Sequence, residues 1–521
     1  MAPTDRRSDE GRAAAGSGAA SVATAANARP LPERQLVDLA SRLSSLVARL
    51  EDDALRLPQI APTDLVPLLN SLRNSVMRPL QRLIVQLNPA TDLVPAREPV
   101  AEQPSTAAGA LSPEVIDAAV WELAVQITEL AQRDEVPVVI GEAVAALQRL
   151  ACEGAPSRGG FDPERREALL ALQAARGAEI VVMTDGPYVV NNVDLVDWLG
   201  TRLDTAPTVA LCRCGGSSTK PWCDGSHATN GFSGAKDAKR VPDTLDTYTG
   251  QQIVVSDNRG TCAHSGFCTD RASTAFRSRK EPFVAANGAR LDELARAVRA
   301  CPSGALGLRL FGDPSASQSD QEREPVIEIS RDGPYRMRGG IPLEDAERQD
   351  VLRNAGASRE HYSLCRCGHS LNKPFCSGMH WYVDFKDPSM PPDPTIFDWA
   401  GGLPALTRLT SLFFEKYVPD DLLLAPLFAE MPADLPARVA AWLAEVFGGP
   451  KLYTKQFGDY PHMLSRHAGT GITEEQRARW VATLIRCADE SGLPADAEFR
   501  SAFTGYLDWG SRTVLATSTE G

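Results

Sequence analysis

The sequence predicts a multidomain fold: an all-α N-terminal region, two small β-rich units flanking an α+β segment, and an all-α C-terminal domain. Three observations predict it. The chain has 521 residues, more than one ordinary domain. A C-x-C-x8-C-x3-H block occurs twice, at 212–227 and 365–380. Apolar residues recur at helical spacing near both ends of the chain, whereas short apolar runs followed by turns occupy its middle.

The N-terminal part divides into a tail and a helical region. Residues 1–32 are rich in Ala, Gly and Ser, which predicts a disordered tail, and they lack the apolar core of a secretion signal. Residues 33–178 are predicted to be helical because leucines recur at helical spacing, as in Leu36, Leu39 and Leu43. No histidine precedes His227, which excludes a histidine-bearing metal or haem site from this region.

Composition limits the possible partners and the compartment. A formal charge of −13 argues against binding to nucleic acid or to an anionic membrane. No run of apolar residues is long enough to span a bilayer. Nine of the eleven cysteines fall into three local groups of three, a pattern that suits metal better than disulfides and predicts a reducing, cytoplasmic location.

The central part of the chain contains an internal duplication. An apolar run at 179–183 is followed by Asp-Gly-Pro-Tyr at 185–188, and the same order returns at 326–330 and 332–335. Each copy leads into one of the two cysteine blocks. We therefore assign two units, 179–245 and 325–390, each with a strand, a turn and a metal-binding loop.

The cysteine block of the first unit resembles the CDGSH iron–sulfur family, C-x-C-x2-[S/T]-x3-P-x-C-D-G-[S/A/T]-H, at every specified position. The second block departs from this pattern at Ser377 and Met379. The resemblance implies two [2Fe–2S] clusters and a pairing of the two units within one chain. The implied ligands are Cys212, Cys214, Cys223 and His227 in the first block and Cys365, Cys367, Cys376 and His380 in the second.

The donor set itself leaves zinc as an alternative, because zinc also accepts three cysteines and one histidine. The C-x-C spacing is tighter than the usual zinc spacing and favours the cluster. A histidine ligand replaces an anionic thiolate by a neutral imidazole, which raises the potential of a cluster. It also predicts a potential that depends on pH and loss of the cluster below roughly pH 6.

Between the two units, residues 246–314 carry Cys262, Cys268 and a Cys301-Pro302 pair. The segment resembles a single-cluster ferredoxin in which Ser265 stands where the central cysteine is expected. Three thiolates suit a [3Fe–4S] cluster. Alternatively, His264 or Ser265 supplies a fourth ligand to a [4Fe–4S] cluster. The alternative is that these three cysteines bind no metal and are unrelated buried core residues.

Residues 395–517 resemble a group II truncated haemoglobin. The signatures include Phe447-Gly-Gly-Pro450, Arg479-Trp480 and the run that ends at His467. The resemblance implies haem b, with His467 as its iron ligand, Phe428 packed on the porphyrin and Trp480 in the distal pocket. Physical chemistry supports His467, because haem needs a neutral imidazole in an apolar slot and the other histidine here, His462, is expected to be solvated.

The haem pocket departs from the family at positions that commonly carry donors. Phe414 stands where tyrosine is frequent, and Leu435 and Val439 line the region where a distal histidine or small residue is expected. Trp480 is then the remaining donor. Weakly stabilised oxygen favours reactive ligand chemistry or ligand sensing over oxygen storage.

Together these features predict a cytoplasmic redox protein in which electrons from a separate reductase pass through clusters to a haem that binds oxygen or nitric oxide. The alternative is a redox or gas sensor, or an iron–sulfur cluster donor, without turnover. A third possibility is a structural zinc protein fused to a haem-free globin. The residues do not decide whether the protein is an enzyme or what its oligomeric state is.

Overall fold

The computed structural model of the protein describes residues 31–56, 65–87, 111–153, 160–278, 280–311, 320–391, 394–495 and 497–519. The tail predicted for residues 1–32 lies outside these ranges except for its last two residues. The chain divides into two compact bodies, Met1–Gln173 and Ala174–Gly521, and each is described by itself.

The described part of the N-terminal body is helical, as predicted. Its leucine stripe forms the core, with Leu36, Leu43 and Leu50 fully buried. A bidentate ion pair between Arg165 and Asp117 joins two of its helices. The helices are α1 (Leu31–Arg56), α2 (Leu65–Ser71), a π-helical turn (Leu72–Met77), α3 (Arg78–Leu87), α4 (Pro113–Ala131), α5 (Gly141–Glu153) and α6 (Pro163–Leu172).

The two duplicated units of the C-terminal body each contribute to a four-stranded sheet. The first unit supplies β1 (Glu179–Val182), β2 (Tyr188–Asn191), β3 (Asp194–Asp197) and β4 (Thr208–Leu211). The second supplies β8 (Val326–Ile329), β9 (Tyr335–Arg338), β10 (Leu343–Asp345) and β11 (Tyr362–Leu364). In both units the apolar run is a strand and the Asp-Gly-Pro-Tyr turn follows it, as their repetition predicts. With the next strand they form an antiparallel hairpin.

The two units exchange one strand each. The strand orders are β10-β1-β2-β4 and β11-β9-β8-β3, so each sheet contains one strand from the other unit. β3 pairs in parallel with β8, and β10 pairs in parallel with β1. Neither unit can therefore complete its sheet alone, and the duplicated units form a pseudo-symmetric pair within one chain.

The two cysteine loops meet at the centre of this pair. An antiparallel bridge joins Cys214 to Cys367. Gly215 and Gly368 follow these cysteines with φ of 75° and 80°, which favours glycine. A Cβ on Gly215 would overlap the Cys367 carbonyl, and one on Gly368 would overlap the Cys214 carbonyl. Both glycines are thus required by conformation and by close approach.

A reciprocal pair of buried tyrosines ties each unit to the loop of the other. The Tyr188 hydroxyl lies 3.0 Å from the carbonyl oxygens of Cys365 and Pro374. The Tyr335 hydroxyl lies 3.0 Å from those of Cys212 and Pro221. The two rings also contact each other edge to face, with centroids 6.1 Å apart. These are the tyrosines of the repeated Asp-Gly-Pro-Tyr turns.

The middle segment and the C-terminal domain complete this body, and both have the predicted class. The middle segment is an antiparallel sheet, β5 (Leu245–Thr249), β6 (Ile253–Asn258) and β7 (Leu306–Leu310), with two helices, α7 (Phe267–Arg271) and α8 (Leu291–Arg299). The C-terminal domain contains α9 (Ile396–Trp399), α10 (Gly402–Ser411), a π-helical turn (Leu412–Tyr417), α11 (Leu435–Val446), α12 (Leu452–Phe457), α13 (Tyr460–Ser465), α14 (Glu474–Glu490) and α15 (Ala497–Thr519).

The reciprocal tyrosines give a test of the pseudo-symmetric pair. Tyr188→Phe and Tyr335→Phe should each lower the free energy of unfolding of the C-terminal body by about 1–3 kcal/mol, because each leaves buried carbonyls with one partner fewer. Urea denaturation of the full chain would measure this. Tyr382→Phe, at a side chain that is 81% exposed, is the control. A large effect of only one of the two buried substitutions would contradict the reciprocal arrangement.

Candidate metal centres and haem pocket

The first cysteine loop (residues 212–227) brings its four predicted donors together as two pairs. β4 ends directly before Cys212 and so fixes its position. The Sγ atoms of Cys212 and Cys214 are 3.9 Å apart. The Sγ of Cys223 lies 3.4 Å from Nδ1 of His227, whose ring is carried on a short 3₁₀ turn.

The second cysteine loop (residues 365–380) repeats this arrangement after β11. Its Cys365 and Cys367 Sγ atoms are 3.8 Å apart, and the Cys376 Sγ lies 3.5 Å from Nδ1 of His380. The departures at positions 377 and 379 therefore do not displace the predicted donors.

In each loop the four donors form two separate pairs. Two donors about 2.0–2.3 Å from one tetrahedral metal lie roughly 3.5–3.8 Å apart. The four pairs here, at 3.9, 3.4, 3.8 and 3.5 Å, are close to that separation. A mononuclear site would need all four donors at that mutual distance. Among the described residues, three potential ligand atoms lie within 4.8 Å of one another only at Asp320, Glu360 and His361. Both loops thus fit two metal ions, each held by one pair.

The Asp320 group does not resemble a metal site in its other contacts. The Arg323 guanidinium donates to both carboxylate oxygens of Glu360, at 2.8 and 2.6 Å. This ion pair already neutralises the carboxylate.

Each loop prepares one thiolate. The neighbouring Cys212 thiol lowers the pKa of Cys214 to about 6, and the Cys367 thiol does the same to the pKa of Cys365. One cysteine of each Cys–Cys pair is therefore largely deprotonated near neutral pH, in the thiolate form that binds metal. In the first loop, the Gly216 N–H also donates to the Cys214 sulfur.

The two loops differ beside the third cysteine. The Asp224 carboxylate accepts four hydrogen bonds, from the backbone N–H and hydroxyl groups of Ser218 and Ser226. In the second loop, Ser377 accepts one backbone hydrogen bond at the corresponding place, from Leu371 at 3.0 Å. A smaller neutral side chain therefore keeps part of the loop's internal bonding.

The middle cysteine group (Cys262, Cys268 and Cys301) also comes together. Cys262 follows a 3₁₀ turn after β6, Cys268 lies on α7 and Cys301 follows α8. Cys301 belongs to the buried core of the middle segment, and Cys262 and Cys268 are partly buried residues packed against that core. Burial raises the pKa of Cys268, and the neighbouring Cys301 and Cys262 raise it further. Three thiolates in one small core suit an iron–sulfur cluster.

His264 contacts this group through its backbone. Its N–H donates to the Cys262 sulfur at 3.4 Å, whereas its side chain is largely exposed. A backbone donor to a ligand sulfur is one of the means by which proteins tune cluster potential. The fourth ligand of the middle group, His264 or Ser265, stays a prediction.

The aromatic side chains predicted to line the haem pocket converge. Phe414 and Phe428 lie 5.2 Å apart between ring centroids. Phe413, which the sequence analysis did not single out, contacts both of them and lies 6.2 Å from Trp480. The predicted residues Leu435 and Val439 pack against the same apolar cluster. Phe428, Trp480, Leu435 and Val439 are only partly buried, as expected of walls that face a bound group.

His467 has the chemistry of an axial ligand. Its Nδ1 lies 3.0 Å from the Met463 carbonyl oxygen. A carbonyl can only accept, so Nδ1 carries the proton and Nε2 offers its lone pair. Burial lowers the pKa of His467, which keeps the ring neutral. His462, in contrast, is exposed, as the sequence predicted. These residues fit a haem held by His467.

Sequence reasoning missed the arginine that separates the paired cysteines in both loops. Arg213 donates to the Met183 carbonyl at 2.9 Å. Arg366 is fully buried, donates to the Gly333 carbonyl and forms a 2.7 Å ion pair with Asp387. An arginine between the two cysteines of both C-x-C elements was the feature of the sequence that could have identified these residues.

Comparison with protein-family models agrees with the three resemblances. A model described as iron-binding zinc finger CDGSH type matches residues 185–228 and 332–381. One described as divergent 4Fe-4S mono-cluster matches residues 248–310. One described as bacterial-like globin matches residues 395–502.

Individual proteins match separate parts of the chain. Group 2 truncated hemoglobin YjbI of Bacillus subtilis is 30% identical over 110 residues, 21% of this chain and 80% of its own length. The uncharacterized protein YjdI of Escherichia coli K12 is 32% identical over 62 residues, 12% of this chain and 82% of its own. The solved structure of the hemoglobin of Chloroflexus aurantiacus is 29% identical, with a TM-score of 0.21, and covers 24% of this chain and 98% of its own.

The two histidines of the C-terminal domain give a matched test of haem ligation. His467→Ala should abolish stoichiometric haem binding, because the domain loses its buried neutral imidazole. His462→Ala should leave haem binding unchanged. Titration with haem, followed by absorption spectroscopy, would measure both. In the unaltered chain, binding should persist as pH falls below 6.5 and be lost only as it passes through the lowered pKa of His467. Equal haem affinity of the two variants would contradict the assignment.

The histidines of the two loops give a second matched pair. His227→Cys should lower the potential of the first cluster, on the order of 100 mV, and flatten its pH dependence, because an anionic thiolate replaces a titratable imidazole. His380→Cys should do the same to the second cluster only. Redox titration at several pH values, with iron and sulfide analysis, would check both. Unchanged potentials, or a protein that carries only zinc, would contradict histidine ligation of a cluster.

Proposed function

Because this chain belongs to the group 2 truncated haemoglobins through its C-terminal domain, and carries two CDGSH-type motifs and a divergent 4Fe-4S segment, we propose that it is a cytoplasmic multicentre redox protein. It receives electrons from a separate reductase and delivers them to a haem that binds oxygen or nitric oxide. When bound, two [2Fe–2S] clusters, one [3Fe–4S] or [4Fe–4S] cluster and haem b supply the one-electron chemistry and the ligand binding.

One observation carries the proposal: a single short helix joins the middle cysteine group to the globin domain. α7 carries Cys268 and, one turn later, Arg271. The Arg271 guanidinium lies 3.6 Å from the Asp489 carboxylate at the end of α14, and α7 packs against both α14 and α15. A cluster ligand and a globin contact thus share one rigid element, which supports electron transfer between them.

Asp489 is the charge centre of this contact. It lies 3.1 Å from Arg500 of the globin domain and 3.8 Å from Arg296 of the middle segment, in addition to Arg271. Its side chain is 13% exposed, so these ion pairs are only weakly screened by solvent. A second ion pair, Arg486 with Asp292 at 3.5 Å, crosses the same contact.

An aromatic contact fixes the globin domain to the first duplicated unit. Trp198, which follows β3, lies edge to face with Trp399 of α9, with centroids 4.6 Å apart. Trp399 in turn packs on Phe499 of α15. The globin domain is therefore held by both an ionic and an apolar contact within the C-terminal body.

The residues of the haem pocket support ligand chemistry more than ligand storage. Phe413, Phe414 and Phe428 offer no hydrogen bond to a bound diatomic molecule, which leaves Trp480 Nε1 as the donor among the predicted pocket residues. Weak stabilisation favours reaction or release of oxygen. His467 would hold the haem iron through Nε2, because its Nδ1 donates to the Met463 carbonyl.

The second candidate function, an iron–sulfur cluster donor or sensor, has one observation in its favour. Cys214 and Cys223 of the first loop are partly exposed, and exposed ligands favour release of a cluster. The contact between the middle segment and the globin domain is not explained by that function, because release of a cluster does not require it. Among the described residues, no helix combines the length and apolar character that a membrane span requires.

Intramolecular reduction of haem tests the proposed function. In the full chain with ferric haem, photochemical reduction of the clusters should produce ferrous haem with a first-order rate that is independent of protein concentration. Asp489→Asn should slow this step roughly tenfold, the effect of about 1.4 kcal/mol lost from the docked arrangement. Absorption of the haem would be followed after a laser flash.

Asp434→Asn is the matched control, because Asp434 lies on the globin surface and pairs with Arg438 of its own domain. It should leave the rate unchanged. A rate proportional to protein concentration would contradict transfer within the molecule. Haem that stays ferric, together with rapid handover of the cluster to an apo-acceptor, would support the donor function instead.

A further inference from the structure

The second cysteine loop is joined to the middle segment beside the cysteines of both. The Ser363 hydroxyl, two residues before the first cysteine of the second loop, donates to the Pro302 carbonyl at 2.8 Å. Pro302 directly follows the last cysteine of the middle group. The Asn372 side chain donates to the Gly260 carbonyl at 2.7 Å, and Gly260 lies two residues before the first cysteine of that group.

A third contact lies even closer to the ligands. Gly378, between Cys376 and His380, has φ of 78°. A Cβ at this position would lie 2.9 Å from Cδ2 of His264 and 3.2 Å from the Ala263 carbonyl oxygen. Gly378 therefore packs directly against His264 and the Ala263 carbonyl of the middle segment, and a side chain larger than hydrogen would not fit there.

The first cysteine loop carries different residues at the corresponding positions. Ala210 stands in place of Ser363 and has no side-chain donor. Thr219 stands in place of Asn372, and its hydroxyl lies 3.4 Å from the Ser217 hydroxyl of its own loop. The exposure of the ligands differs accordingly. Cys214 and Cys223 are partly exposed, whereas all three cysteines of the second loop are buried. The middle segment covers one copy of the duplicated motif and leaves the other open to solvent.

We propose that the second cysteine loop and the middle cysteine group form one coupled relay, with the first cysteine loop as its solvent-facing entrance and α7 as its exit to the globin domain. This inference rests on the proposed function and extends it, because it gives each cysteine group a position in the path of the electrons. The first loop accepts electrons because two of its ligands, Cys214 and Cys223, are partly exposed. The second loop passes them on because it touches both the first loop, at the Cys214–Cys367 bridge, and the middle group.

The transfer is balanced electron by electron. With the clusters bound, a reductase that donates single electrons would lose one electron to the cluster held by the first loop. That electron would pass to the clusters held by the second loop and by the middle cysteines, and then to the haem held by His467, and all three clusters would return to their oxidised states. The net change is one donor molecule oxidised and one ferric haem reduced, with no atom transferred.

Magnetic coupling between the clusters tests the order without relying on activity. The full chain would be titrated with a chemical reductant under anaerobic conditions and followed by electron paramagnetic resonance. The signal of the second-loop cluster should broaden in the redox state in which the middle cluster is also paramagnetic. The His227→Cys and His380→Cys variants identify the two CDGSH signals, because each shifts one of them.

Two matched substitutions, each of which removes one cluster, show which neighbouring cluster causes the broadening. Cys268→Ala, with loss of the middle cluster verified by iron and sulfide analysis, should abolish the broadening of the second-loop signal. Cys223→Ala, which removes the first cluster, should leave that broadening in place. Broadening that survives the first substitution, or disappears with the second, would overturn the coupling. If either variant fails to fold, the potential dependence of the broadening in the unaltered chain decides the same point.

The entrance is tested by access from solvent. A soluble gadolinium chelate should enhance relaxation of the first-loop signal more than that of the second-loop signal. Equal enhancement would overturn the assignment of the first loop as the entrance. The outcomes separate this inference from the proposed function. Coupled clusters with a haem that stays ferric would contradict the proposed function alone, whereas haem reduction without cluster coupling would contradict the relay alone.

Discussion

The exchange of β3 and β10 between the duplicated units is the constraint on which the rest of the C-terminal body depends. Each strand completes the sheet of the other unit by parallel pairing, so the two cysteine loops cannot separate without opening both sheets. The glycines beside the Cys214–Cys367 bridge and the reciprocal tyrosines hold the same two loops together. Because the middle segment is inserted between the two units, its ends are also fixed. The relative positions of the cysteine groups follow from this single topological feature.

The ligand residues were predictable because their chemistry is local. Three thiols and one imidazole at fixed spacing within sixteen residues define a site whatever the surrounding fold, and the structure brings both sets together as two pairs. The repeated apolar run and turn likewise predicted the first strand and the turn of each hairpin. The strand exchange could not be predicted, since the partners of β3 and β10 lie more than a hundred residues away and a short strand contains no signal of its parallel partner.

The contacts between the domains were also beyond sequence reasoning, for an electrostatic reason. Asp489, Arg271, Arg296 and Arg500 are charged residues on helices, and such residues usually lie in solvent. Their role in joining the domains is evident only in the structure, where helices from two domains place three guanidinium groups around one partly buried carboxylate. Asn372 and Ser363 are similar cases, because a polar side chain in a loop gives no sign of a distant carbonyl. A comparison of the two copies does give one, since the first copy has Thr219 and Ala210 there.

The two departures of the second loop from its family pattern are explained as one change. In the first loop, the Ser226 hydroxyl donates to the Asp224 carboxylate at 2.6 Å, so the small donor and the acid depend on each other. Once serine occupies position 377, a donor at position 379 has lost its acceptor, and methionine is tolerated there. Retaining the acid would also place a carboxylate beside a buried Cys376, where removal from water is costly. Ser377 keeps the backbone hydrogen bond that shapes the loop and avoids that cost. The covered environment of the second loop thus accounts for both substitutions, while the donors themselves stay in place.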